Sequence, residues 1–278
     1  MKKKSIIMLA LTLALGATQA KAQMEEQTVA VDNFDKISLT GNIDVIFSQG
    51  SKTSVVIVGN RKDIDKVEAE VKGSTLFIST KTEKKNVGGV TVKSTKFIDE
   101  VKVKVTSKSL KDVKITGNGD FKATTDIKTD NLNLNVSGSG DMEFKKVTAD
   151  AAKATIAGSG DISIKKLDTK NLNTSIAGSG EIEIDNVTDR CDVAQLSIAG
   201  SGDMKMKFEG CRDLRCKIAG SGEMELKGKV TDYSSAISGS GEIDKRELTI
   251  TGKTTESNSR KKVNHGKKRM SSGIEANP

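Results

Sequence analysis

Ile156-Ala157-Gly158-Ser159-Gly160-Asp161-Ile162-Ser163-Ile164 places an apolar alternation on each side of a glycine-rich tetrapeptide. Alternate residues of a strand line one face, so the isoleucines mark two half-buried strands. The glycines between them supply the positive φ or the close backbone approach that a sharp corner needs.

Moving outward, the tetrapeptide Gly-(Ser/Asn)-Gly-(Asp/Glu) begins at Gly117, Gly138, Gly158, Gly178, Gly200, Gly220 and Gly239, with spacings of 21, 20, 20, 22, 20 and 19 residues. Two residues before it stand Ile115, Val136, Ile156, Ile176, Ile198, Ile218 and Ile237, apolar in every copy. Four residues after it stand Phe121, Met142, Ile162, Ile182, Met204, Met224 and Ile243. Six after it are Ala123, Phe144, Ile164, Ile184, Met206 and Leu226, and only Lys245 breaks the row. A fixed period of this length is the signature of a repeat architecture. A coil with one repeat per rung stacks equal positions about 4.8 Å apart, which explains why one phase stays apolar while the spacing slips in the loops. Stacked antiparallel hairpins are the alternative arrangement, and they do not require that constancy. Twenty residues at about 3.3 Å each give a contour near 66 Å, enough for a rung of two or three sides. The expected fold is therefore all-β, a right-handed parallel β-helix with about twenty residues per rung.

The chain before the repeats is less regular. Lys2, Lys3 and Lys4, the apolar run from Ile6 to Ala17 and Ala20-Lys21-Ala22 have the layout of a cleavable secretory leader over residues 1–22. The apolar run is too short for a membrane span, which needs about twenty residues, and no later segment is apolar enough to cross as a helix. Residues 24–110 read as a divergent β region that continues or caps the coil. In it Thr40-Gly41-Asn42-Ile43-Asp44-Val45 echoes Thr116-Gly117-Asn118-Gly119-Asp120-Phe121, and a turn of helix is expected near Asp63 to Val67. The repeat coil proper spans residues 111–252. Residues 253–278 lack the alternation and are rich in Lys, Arg, Ser and Asn, so a disordered basic tail is expected there.

The formal charge of +8 does not mark a nucleic-acid binder. The leader carries four Lys and no acid, and residues 253–278 carry a net +5, which leaves the body close to neutral. With no Trp, one Tyr and seven Phe it also lacks a base-stacking platform. The tail alone could make electrostatic contact with anionic surfaces.

Chemistry-bearing constellations are few. The one histidine, His265, lies in the basic tail, and no Ser-His-Asp or Cys-His set, HExxH or phosphate-binding loop is present. Paired carboxylates could still serve acid-base chemistry, as in polysaccharide-cleaving enzymes. The corner acids Asp120, Asp141, Asp161, Glu181, Asp203, Glu223 and Glu242 recur at one structural position, however, and read as a requirement of the turn. Stacked, they form a carboxylate ladder whose repulsion must be offset by backbone N–H donors or the Ser hydroxyl of the turn, or by calcium. Interchange of Asp with Glu argues against fixed coordination. No catalytic residue and no cofactor is expected. Cys191 lies nine residues before Gly200 and Cys211 nine before Gly220, so the coil stacks them; a disulfide and three unpaired thiols are both open. Cys216 shares the inward parity of Leu196 and reads as a core residue.

Asn33-Phe34-Asp35-Lys36-Ile37, Gly41-Asn42-Ile43-Asp44-Val45 and the Gly-Ser-Gly-Asp/Glu run together resemble the head GIN domain family, whose members are described as autotransporter adhesins. The resemblance covers residues 29 to 252. It implies an exported β-helical adhesin and supplies no catalytic residues. One departure is that Ser257-Asn258-Ser259-Arg260, where the next corner is due, has lost its glycines, so the coil should end there. The functional expectation is a non-enzymatic, adhesin-like envelope protein, in the periplasm, at the cell surface or outside the cell, with a protein or glycan ligand. A scaffolding component without a specific ligand is the alternative, and a polysaccharide-active enzyme is the more remote one.

Overall fold

The computed structural model describes residues 24–87, 90–95 and 101–258. It is a parallel β-solenoid in which every glycine corner stacks on the next. Gly41 pairs with Gly117, Gly117 with Gly138, and the register continues through Gly158, Gly178, Gly200 and Gly220 to Gly239. The Gly41 echo is therefore a true rung, although 76 positions separate it from Gly117, and its carbonyl accepts the amides of Asn118 and Gly119.

One rung shows how the sequence makes the cross-section. In Met142–Gly158 the buried residues are Met142 and Phe144, then Val147 and Ala149, then Ala152, Ala154 and Ile156. The alternation slips where two outward residues stand together, at Lys145-Lys146 and Asp150-Ala151, and those slips are two of the corners. The Gly-Ser-Gly segment makes the third. Three short sides thus enclose a core one side chain deep, which Ile, Val, Leu, Met and Ala fill. The row Ile115, Val136, Ile156, Ile176, Ile198 and Ile218 is fully buried along the axis. Each such side chain stabilises the fold by about 1.5–3 kcal/mol relative to exposure.

The corner glycines are required for two separate reasons. Gly158 has φ +146°, and a Cβ there would stand 2.1 Å from the Gly138 carbonyl oxygen. At Gly160 the obstacle is stacking alone, with a Cβ 2.2 Å from the Gly140 oxygen and 2.9 Å from Val136 Cγ1.

At the amino-terminal end the coil is closed by a layer with mixed pairing. Thr75–Thr80 runs parallel to Lys36–Gly41, and Lys102–Ser107 runs parallel to Asp44–Gln49. Ser54–Asn60, Val67–Lys72 and Met24–Val29 are then added antiparallel. Covering the end in this way removes a parallel edge that would otherwise template pairing with another chain. Thr82–Val87 and Val90–Thr95 form a separate two-stranded hairpin. The junction of cap and coil is packed by Phe47, Phe121 and Phe144, with ring centroids 5.7 and 5.6 Å apart. Ala123 stands in register between Phe47 and Phe144, and its small volume leaves the space that Phe121 fills diagonally.

Two expectations are corrected. The helical turn occupies Arg61–Ile64, starting two residues before the expected 63–67 and overlapping it at Asp63 and Ile64, because Asn60 caps it by accepting from the Asp63 amide at 3.1 Å and Val67 already begins a strand. The regular structure also runs past position 252. Thr254–Asn258 pairs parallel with the segment from Tyr233 to Ile237, completing the last rung on backbone hydrogen bonds although all five residues are exposed. Residues 259–278, the remainder of the expected basic tail, and the expected leader at residues 1–22 lie outside the described residues.

Candidate binding face

The corner acids form the ladder that the repeat implies, and its wiring depends on side-chain length. The carboxylate of Asp44 accepts the amide of Asp120 at 3.3 Å, Asp120 that of Asp141 at 3.0 Å, Asp141 that of Asp161 at 2.9 Å and Asp161 that of Glu181 at 2.9 Å. Asp203 likewise accepts from Glu223 at 3.2 Å. After a glutamate the pattern changes: the amides of Asp203 and Glu242 donate to the carbonyls of Gly180 (3.1 Å) and Gly222 (3.2 Å). The extra methylene carries the carboxylate past the amide. Glu181 instead pairs with Lys205 at 2.8 Å, which raises the Lys205 pKa. Burial raises the Asp141 carboxyl above its ordinary value, the nearby charges of Asp161 and Asp120 add to it, and the amide of Asp161 opposes it. Backbone N–H donors therefore occupy one oxygen of each aspartate. Among the described residues no three of His, Cys, Asp and Glu converge as a metal site.

Cys191 and Cys211 stand opposite one another in register on adjacent rungs, buried, with sulfurs 2.9 Å apart. Cys216 faces Leu196 across the same ladder, and burial pushes its thiol up to about 12.

The third side of the coil forms a feature that the apolar rows do not reveal. Its outward positions stack into rows across successive rungs. One row runs Ser38, Lys114, Asn135, Thr155, Ser175, Ser197 and Lys217. Beside it lies Ser137, Ala157, Ala177, Ala199, Ala219, and on the other flank Asn133, Lys153, Asn173, Gln195, Arg215. Between the Gly138 and Gly200 corners these rows hold amides, hydroxyls and methyls, with Lys153 the one charge. The outward positions just after the corners are charged instead, with Lys122 paired to Glu143 and Lys165 to Asp185. A shallow open groove of about 200 Å³ crosses this face between Asn133, Lys153, Asn173 and Gln195. Enclosed small-molecule sites are typically about 300–1,000 Å³, so this surface suits an extended partner better than a small ligand. The face could have been read from the contrast between mostly uncharged outward residues before the glycines from Gly138 to Gly200 and charged ones after them. A search for apolar periodicity passes over it because the signal is an absence of charge.

A β-solenoid whose long sides are open and whose repeated acids serve its own backbone belongs to the class of elongated repeat proteins built from stacked rungs. The chain is a member of the family described as "Putative auto-transporter adhesin, head GIN domain", whose model matches residues 33–206 and, overlapping, 187–264. Overlap is natural where near-identical rungs can be aligned in more than one register. Crystal structures share the fold. A "putative adhesin" from Parabacteroides merdae is 23% identical with a TM-score of 0.68, over 84% of this chain and 96% of that one. A "putative lipid binding protein" from Parabacteroides distasonis is 26% identical with a TM-score of 0.63, over 84% and 96%. A "putative adhesin" from Bacteroides fragilis is 19% identical with a TM-score of 0.61, over 87% and 100%. No curated protein matches the chain.

Proposed function

We propose that this is an exported, adhesin-like envelope protein that binds an uncharged, hydroxyl-rich polymer, a neutral glycan, along the face of Asn133, Asn135, Thr155, Asn173, Ser175, Gln195 and Ser197. The observation that carries the reading is the in-register stacking of uncharged amides and hydroxyls about 4.8 Å apart over consecutive rungs. Such groups both donate and accept hydrogen bonds, as sugar hydroxyls do, and a long partner can engage several rungs at once. Family membership and the leader at residues 1–22 support export. Lipid binding, the property named for one structural neighbour, calls for an apolar surface. The large hydrophobics exposed among the described residues are Met24 and Phe77, too few to make one.

The test is retention of the purified, labelled chain on immobilised neutral polysaccharides, acidic polysaccharides and matrix proteins. Saturable retention on neutral glycans, insensitive to salt, is expected. Retention only on charged polymers that salt abolishes, or none above an uncoated surface, would refute the assignment.

A further inference from the structure

The rung between Gly178 and Gly200 is the longest of the coil, and the extra chain is absorbed at Thr188-Asp189-Arg190, where the strand breaks between Glu181–Val187 and Cys191–Gly200. Neighbouring rungs run through without interruption, as in Asp203–Gly220. The pairing with that next rung shifts register between Ile184 and Val187 and resumes at Cys191 opposite Cys211. The two thiols therefore sit where the backbone ladder between these rungs is interrupted. They are buried, share register and bring their sulfurs within 2.9 Å. Adjacent parallel strands also hold Cα atoms within the span a disulfide tolerates.

We infer that Cys191 and Cys211 are an oxidation site whose disulfide staples the two rungs beside the insertion. Cys216 is left out: its register partners are Leu196 and Ser235, and two adjacent outward residues, Arg212 and Asp213, turn the chain between it and Cys211. The reaction is thiol–disulfide exchange with a disulfide co-reactant, such as oxidised glutathione or an exported dithiol oxidoreductase. The thiolate of one cysteine attacks the co-reactant, forming a mixed disulfide and releasing one reduced thiol. The second cysteine then displaces the other reduced thiol, so the protein loses two hydrogens and the co-reactant gains them. Both thiols are buried between the rungs, so the co-reactant reaches them while the rungs are still closing and not in the finished coil. In the cell the bridge rests on the export reading. The test supplies the oxidant itself, so a failure of export cannot mimic a failure of the bridge.

The full chain is unfolded in urea with its thiols reduced, refolded in a glutathione redox buffer, and mapped by mass spectrometry without reduction. The expected result is one linked peptide pair joining Cys191 to Cys211 with Cys216 free. The same link should persist in Cys216→Ala, no link should form in Cys211→Ala, and the melting temperature should fall by about 5 °C on reduction. Three free thiols after refolding, or a link that includes Cys216, would overturn the assignment. The Cys216→Ala variant keeps the outcome readable if Cys211→Ala fails to fold.

Discussion

At the level of single residues, the ladder turns on one methylene. Asp161 reaches the Glu181 amide at 2.9 Å, whereas Glu181 and Glu223 leave the following amide to a glycine carbonyl. Asp161→Glu should therefore lose one exposed hydrogen bond and keep the fold, at a cost of about 0.5–1 kcal/mol in urea unfolding. Asp161→Asn, which retains an acceptor at the same reach, should cost less than Asp161→Glu; the reverse order would show that charge and not reach sets the wiring. Asp141 adds a pH dependence. A carboxyl whose folded pKa is raised holds its proton more tightly in the folded state, so its ionisation costs stability as pH climbs from the ordinary value of 3.8 past the folded one. Asp141→Asn removes that cost, so its unfolding midpoint relative to the parent should be more favourable at pH 7 than at pH 3. An equal difference at both pH values would mean that the neighbouring carboxylates impose no penalty. The occurrence of both Asp and Glu at the corner was visible in the sequence; its meaning was not, because the hydrogen bond joins residues about twenty positions apart.

At the level of elements, the repeat spacing was enough to read the rungs from Gly117 to Gly239 and their register. The Gly41 rung was legible only as an echo, since its neighbour lies 76 residues away and the intervening chain folds back as the cap. That return rests on long-range pairing, for which local pattern carries no signal. The closing strand Thr254–Asn258 escaped notice for a related reason: it has no apolar alternation and is held by pairing with the rung below and by the ion pair of Glu256 with Lys245. Truncation after Gly252 should consequently lower the melting temperature by a few degrees relative to truncation after Asn258, because it unpairs the third side of the last rung and exposes Tyr233 and Ile237. Identical melting of the two truncations would show that this strand contributes nothing to the coil.

At the level of the whole molecule, the sides of the solenoid differ in chemistry over its central rungs. The flanks after the corners carry cross-rung ion pairs, exposed and individually worth little, which keep that surface solvated. The third side between Gly138 and Gly200 is flat, nearly uncharged and rich in groups that can both donate and accept. That contrast is the basis for assigning the binding role to one side and not to the molecule at large. The most direct measurement compares two triple variants for retention on a neutral polysaccharide, after circular dichroism has shown that both remain folded. Thr155→Asp, Ser175→Asp and Ser197→Asp together place a charge on three consecutive rungs of the face. Glu143→Gln, Ser163→Asp and Glu183→Gln alter an equal number of residues on the flank after the corners. The first should lose at least about tenfold in affinity while the second stays within about twofold of the parent. Equal retention of the two variants, or a greater loss from the flank, would contradict the assignment of binding to this face.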